Sequence, residues 1–91
     1  MQSVAVDYLR MRGWLVAHFR PARTERGWRT PGQYDAQGFP DLAIARDGQV
    51  ELIEVKSGRG KTTDHQAAWL AASNGFLLTP KTLDELMERY R

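Results

Sequence analysis

The residues able to do chemistry are concentrated in one stretch, GFPDLAIARDGQVELIEVKSG, from Gly38 to Gly58. Asp41 follows a proline, and Glu54 stands two residues ahead of Lys56. In an extended chain alternate side chains share a face, so Val50, Leu52, Glu54 and Lys56 point one way and Glu51, Ile53 and Val55 the other. Asp47-Gly48 is a strong two-residue hairpin turn, and counting outward from it sets Asp41 opposite Glu54. Two carboxylates about 4 Å apart repel by roughly 4 kcal/mol at an effective dielectric near 20, so such a pair is expected to bind a cation or a proton. Mg²⁺ suits it, because that ion prefers oxygen ligands, keeps several waters and is commonly held by one or two carboxylates plus a substrate phosphate. A bound metal can polarise a phosphate oxygen and lower the pKa of its water. Lys56 is then placed to orient or deprotonate that water, or to offset charge in the transition state. An isolated Asp or a lone E-x-K triplet is more simply a solvated charge pattern. Here the preceding proline, the matching hairpin register, the Gly-basic loop after Lys56 and a helix carrying Gln66 favour a site.

The elements that must position these residues can be read along the chain. Val4, Ala5, Tyr8, Leu9 and Met11 approximate a helical apolar stripe over about Gln2 to Arg12, with Gly13 as its stop. Trp14 to Phe19, WLVAHF, reads as a strand. Arg20 to Phe39 contains two prolines and three glycines, shows no sustained period, and reads as a long loop of the kind that often binds ligands. Leu42–Ala45 and Val50–Val55 form the hairpin. Thr63 with Gln66 gives a capping-box pattern ahead of AAWLAA, and Asn74-Gly75 ends that helix. Phe76–Thr79 reads as a short strand. Thr82 with Glu85 repeats the capping spacing before the stripe Leu83, Leu86, Met87 and Tyr90. The expected order is helix, strand, strand, strand, helix, strand, helix, an α/β mixed sheet flanked by helices.

Composition bounds what such a domain can be. The chain has 91 residues, 42% hydrophobic and 26% charged, which suits one small globular domain. No apolar run approaches a membrane span and no signal-peptide core is visible, so an intracellular protein is expected. With 0 cysteines and 2 histidines, disulfides and thiolate metal sites are excluded and a zinc centre of the usual kind is disfavoured. The net charge of +2 says little by itself. Its distribution says more: Arg20, Arg23, Arg26 and Arg29 recur every third residue, with Phe19, Trp28 and Tyr34 among or beside them.

GFPDLAIA, IEVKSGRGKTTDHQ and the tryptophan three residues further on resemble the VRR-NUC family, virus-type replication-repair nucleases of the PD-(D/E)xK superfamily. The resemblance covers most of the chain and joins three ordered parts: a Gly-x-Pro-Asp, a Glu-Val-Lys on the next strand, and a helix opening with Ser or Thr and Gln. It implies a restriction-endonuclease-like mixed β-sheet and metal-dependent hydrolysis of nucleic-acid phosphodiesters. It further implies Asp41 and Glu54 as ligands of Mg²⁺ or Mn²⁺, the backbone carbonyl of Val55 as another ligand, Lys56 as the water-positioning residue and Gln66 as a helper. Stand-alone phage members of this size look like minimal nucleases, some acting as dimers on branched DNA resembling Holliday junctions, which makes a phage or prophage source an expectation. One departure stands out: the Glu that the family carries near the start of helix one aligns just ahead of Met1, with Gln2 nearby and Asp7 a poor substitute.

Several other residues are secondary candidates. The arginine segment could grip phosphates while Trp28, Tyr34 or Phe39 stacks on unpaired bases; a solvated loop is the plainer reading. Arg59 and Lys61 could hold the scissile strand or form a solvated basic turn. His65 reads as a surface histidine, His18 as structural or partly buried, and Trp14 and Trp69 as core. A homodimer is expected, since a chain this short buries only about 60–65% of its unfolded surface and two-fold pairing would offer two sites to a symmetric substrate. The leading expectation is a structure-selective DNA endonuclease. A non-catalytic DNA-binding module of the same fold, a small interaction protein and a ribonuclease are the alternatives.

Overall fold

In the computed structural model, residues 1–19, 22–24, 27–29, 33–58 and 60–91 are described, with the side chains of 22–24 and 27–29 excepted. The elements are α1 (Gln2–Met11), β1 (Leu15–His18), β2 (Ala22–Thr24), β3 (Gly27–Arg29), a 3-10 turn (Tyr34–Ala36), β4 (Leu42–Arg46), β5 (Gln49–Val55), α2 (Asp64–Ser73), β6 (Phe76–Leu78) and α3 (Leu83–Arg89). The architecture is mixed α/β, as expected, but its order is not. The stretch expected to be one long loop carries an antiparallel β2–β3 hairpin, with Arg23 opposite Trp28, and then the 3-10 turn.

A four-stranded sheet in the order β1-β4-β5-β6 organises the domain. β1 with β4 and β4 with β5 are antiparallel, while β5 with β6 is parallel and joined through α2. The hairpin register is the expected one, running from Leu42 opposite Ile53 to Arg46 opposite Gln49. Asp47 and Gly48 have φ of 52° and 82°, the doubly left-handed pair that a two-residue turn needs to match strand twist.

Alternation sorts the sheet into two faces. Leu42, Ile44, Ile53, Phe76 and Leu78 meet Ala5 and Leu9 of α1 and Leu86 and Tyr90 at the end of α3 in the core. Trp14 caps this core, with its ring edge-to-face against Tyr90 at 5.5 Å and its indole N–H donating to the Tyr90 carbonyl. Tyr8 ties α1 to α3 by donating its hydroxyl to the Met87 carbonyl at 2.7 Å. The stripe read for α1 is only partly right: Ala5 and Leu9 are buried, whereas Val4 and Met11 are exposed and Val6 packs on the core instead.

α2 lies against β5 and adds no buried residue to this core, which leaves it the opposite sheet face. Its capping box forms in full, with Thr63 and Gln66 exchanging side-chain and backbone bonds, and Asn74 ends it in the left-handed conformation. Trp69, expected in the core, is half-buried there and packs on Phe39. The second capping box does not form. Thr82 instead accepts from the Thr79 N–H and donates its hydroxyl to the Leu77 carbonyl, so the hydroxyl serves the preceding turn rather than α3.

Gly38 brings the segment before Asp41 against the start of α2. Its φ is +80°, and a Cβ there would stand 2.5 Å from the Cβ of His65 and 2.9 Å from the Gln66 nitrogen. Both the left-handed backbone and the close approach exclude a side chain. Gly38→Ala is expected to cost about 2 kcal/mol or more in urea denaturation.

Candidate active site

The register that builds the hairpin also builds the site. Continuing β4 one residue back from Leu42 sets Asp41 opposite Glu54, and the Phe19 N–H holds this point to β1 by donating to the Asp41 carbonyl at 2.8 Å. The Asp41 carboxylate is tied down in turn: its Oδ2 accepts the Val55 N–H at 2.8 Å. Asp41→Asn can keep that acceptor, whereas Asp41→Ala strands a backbone donor. The alanine variant is therefore expected to lose about 1–3 kcal/mol more stability than the asparagine variant, read from paired urea melts.

Glu54 is the one buried charged residue among the described residues, 2% exposed. Its Oε2 has no hydrogen-bond partner. A carboxylate in this position is costly unless a proton or a cation joins it. Burial is the main cause that pushes its pKa up, from 4.5 to about 8; the hydrogen bond with Asp41 and the Asp41 charge push the same way. The Lys56 charge and the Val55 backbone hydrogen bond pull against them without prevailing.

Lys56 follows β5 on the Glu54 side of the strand by alternation, is half-buried, and is fixed by its N–H donating to the Leu78 carbonyl at 2.9 Å. Gln66 sits in the first turn of α2 beside Gly38, but its side-chain oxygen accepts the Thr63 N–H at 2.9 Å. Its carbonyl oxygen thus serves the helix cap, and its amide NH₂ is the part left to face a ligand. Lys61 is exposed beyond the strand. Arg23 and Arg29 lie on β2 and β3, while Arg20, Arg26 and Arg59 fall outside the described residues.

Metal fit can be judged from the donors present. An orphaned buried carboxylate oxygen beside a second carboxylate is an all-oxygen set, the kind Mg²⁺ or Mn²⁺ accepts when water and phosphate complete its shell. Among the described residues no group of three His, Cys, Asp or Glu side chains gathers, so those residues offer two carboxylates and not a closed cage. Gln2 and Asp7 do not extend the pair. The Gln2 amide lies 3.2–3.3 Å from the His18 ring nitrogens, and both residues line a groove of about 700 Å³ between α1 and β1 that Asp7 shares and that includes neither carboxylate of the pair. His18, expected to be structural or partly buried, is exposed.

Aromatic residues flank the pair in a way the sequence conceals. Phe39 packs edge-to-face with Phe19 at 5.5 Å and with Trp69 at 5.0 Å, joining the residue that follows β1, the loop before β4 and α2. Tyr34 is 98% exposed with a φ of +58°. No local spacing could have grouped positions 19, 39 and 69.

Comparison of the chain with family models, curated proteins and solved structures gives no match. No helix among the described residues is long and apolar enough to cross a membrane.

Proposed function

We propose that the protein is a divalent-metal-dependent nuclease that hydrolyses DNA phosphodiester bonds, with branched DNA as its preferred substrate. The observation that carries this reading is the buried, unpartnered Oε2 of Glu54 beside Asp41, with Lys56 next along the same strand face. Asp41, Glu54 and the Val55 carbonyl would hold Mg²⁺ or Mn²⁺. Such an ion supplies Lewis-acid polarisation of the scissile phosphate and a more acidic water.

The chain's own residues do the rest. Asp41, clamped by the Val55 N–H, fixes one carboxylate in place before substrate arrives. Lys56 orients the attacking water and offsets negative charge on the phosphoryl oxygens as the water oxygen bonds to phosphorus and the leaving P–O bond breaks. The Gln66 amide NH₂ offers a donor to a phosphate oxygen near the start of α2. Lys61 and the arginines Arg20, Arg23, Arg26, Arg29 and Arg59 supply phosphate contacts in this reading. A homodimer belongs to the same reading. Leu15 and Val50, 77% and 69% exposed, flank Ala45 in one row of the sheet and give a second copy an apolar surface to cover.

A second reading, a DNA-binding module without catalysis, is favoured by the two-carboxylate donor set and by the use of the Gln66 oxygen in the helix cap. Labelled four-way junction, flap, nicked duplex, linear duplex and single-stranded DNA, each incubated with Mg²⁺, Mn²⁺ or chelator, separate the two. Metal-dependent cleavage with the junction or flap cut fastest is expected. Binding without cleavage in either metal selects the module.

A further inference from the structure

Between the 3-10 turn and α2 lies an open cavity of about 280 Å³, lined by Asp35, Gln37, His65, Ala68, Trp69 and Ala72. We infer that it receives one unpaired nucleobase of the substrate strand, close to the scissile phosphate; this rests on the nuclease reading of the carboxylate site.

The cavity's construction argues for a flat heterocycle. Trp69 forms an aromatic wall, held by its indole N–H donating to the Asp35 carbonyl at 2.8 Å and by Phe39 packing on it. His65, Ala68 and Ala72 recur at i, i+3 and i+7, so they share one side of α2. The two alanines have no atoms beyond Cβ, which leaves room beside the indole. The remaining side chains can address the edge of a base: the Gln37 amide both donates and accepts, the Asp35 carboxylate accepts from an exocyclic amine, and the imidazole of His65 can do either. The Asp35 charge disfavours a phosphate in the same space, so the base and not the backbone is the fitting occupant. Stacking on an aromatic wall is tolerant of sequence, because every base offers a π-face.

Position links the cavity to the carboxylates. Gly38 is in contact with His65 at the cavity's rim and is three residues from Asp41, a span of at most about 11 Å. A base held on Trp69 would thus belong to a nucleotide at or next to the bond presented to Asp41 and Glu54. That requirement excludes fully paired duplex at the cut and gives a chemical reason for preferring junctions, flaps and gaps, where bases are unpaired or cheaply unstacked.

The test compares binding of a single-stranded oligonucleotide with that of an abasic counterpart carrying the same number of phosphates. Ca²⁺ replaces Mg²⁺ so that strands stay intact, and the full chain is used. The parent is expected to bind the base-bearing strand about tenfold more tightly. The double variant Ala68→Leu/Ala72→Leu fills the cavity at two exposed helix positions and is expected to bind both strands as the parent binds the abasic one. Ala72→Ser, which leaves the space open, should retain the preference, and circular dichroism verifies that all three proteins fold alike. Equal binding of the two strands by the parent, or a preference undiminished in the leucine variant, overturns the base pocket. If Mg²⁺-dependent cleavage of junction DNA persists in that case, the nuclease reading survives; if the parent neither binds nor cleaves any strand, both fall together.

Discussion

Glu54→Gln is expected to abolish Mg²⁺-dependent cleavage while making the metal-free protein more stable at pH 8, with a melting temperature raised by roughly 10 °C. The two effects have one cause. In the folded protein burial and Asp41 hold the Glu54 pKa at about 8, against an ordinary value of 4.5. The folded state therefore favours the neutral carboxyl, and the stability associated with that proton is fully present below about pH 4.5. It is lost as pH rises through about 8, because the unfolded chain has already released a proton that the folded chain retains. The slope is at most about 1.4 kcal/mol per pH unit, giving a total on the order of a few kcal/mol. Glutamine removes the charge and keeps nearly the same shape, so the decline in stability between pH 5 and pH 8 should flatten. Calorimetric melts of parent and variant across that range, in chelator, check the stability arm. A parent whose melting temperature rises from pH 5 to pH 8 would contradict the assignment of a protonated, buried Glu54.

Lys56→Ala is expected to slow single-turnover cleavage by about 10²–10⁴-fold while leaving junction affinity and the unfolding midpoint close to those of the parent. The backbone of Lys56 continues the β5–β6 pairing through its N–H, and alanine preserves that bond. The side chain is only half-buried, so its removal leaves little void. Its loss is felt where charge changes during the reaction. Lys56→Arg, which retains charge but presents a planar fork instead of a compact ammonium, should recover only part of the rate. Cleavage by Lys56→Ala at the parent rate would remove this residue from the mechanism.

The carboxylate pair was legible in the sequence because a short turn is a ruler. Asp47-Gly48 admits a two-residue hairpin, the hairpin fixes the register, and the register sets Asp41 opposite Glu54 without knowledge of the rest of the sheet. The start of α2 was legible for a similar reason, since Thr63 and Gln66 satisfy each other locally. Features decided by competition or by distant partners were not. The Thr82 hydroxyl had the spacing of a helix cap, yet the Thr79 N–H and the Leu77 carbonyl engage it. Trp69 looked like core by residue type, but α2 covers the face opposite the main core and leaves the ring half-buried against Phe39. The β2–β3 hairpin lies in an Arg-, Gly- and Pro-rich stretch with no apolar alternation, so nothing in its pattern marked strands. The cavity beside Trp69 joins Asp35 and Gln37 to residues about thirty positions later, a proximity created by Gly38 packing on α2.

The most direct test of the proposed metal site is calorimetric titration of Mn²⁺ into the protein at pH 7, repeated in two buffers of different ionisation enthalpy and with Glu54→Gln. A Glu54 pKa near 8 means that the carboxyl is mostly protonated at this pH, so an ion bound by Asp41 and Glu54 must displace that proton. Saturable binding accompanied by release of nearly one proton, with both lost in the variant, is the expected result. Absence of binding by the parent, or equal binding by parent and Glu54→Gln, would contradict a metal site built on this pair.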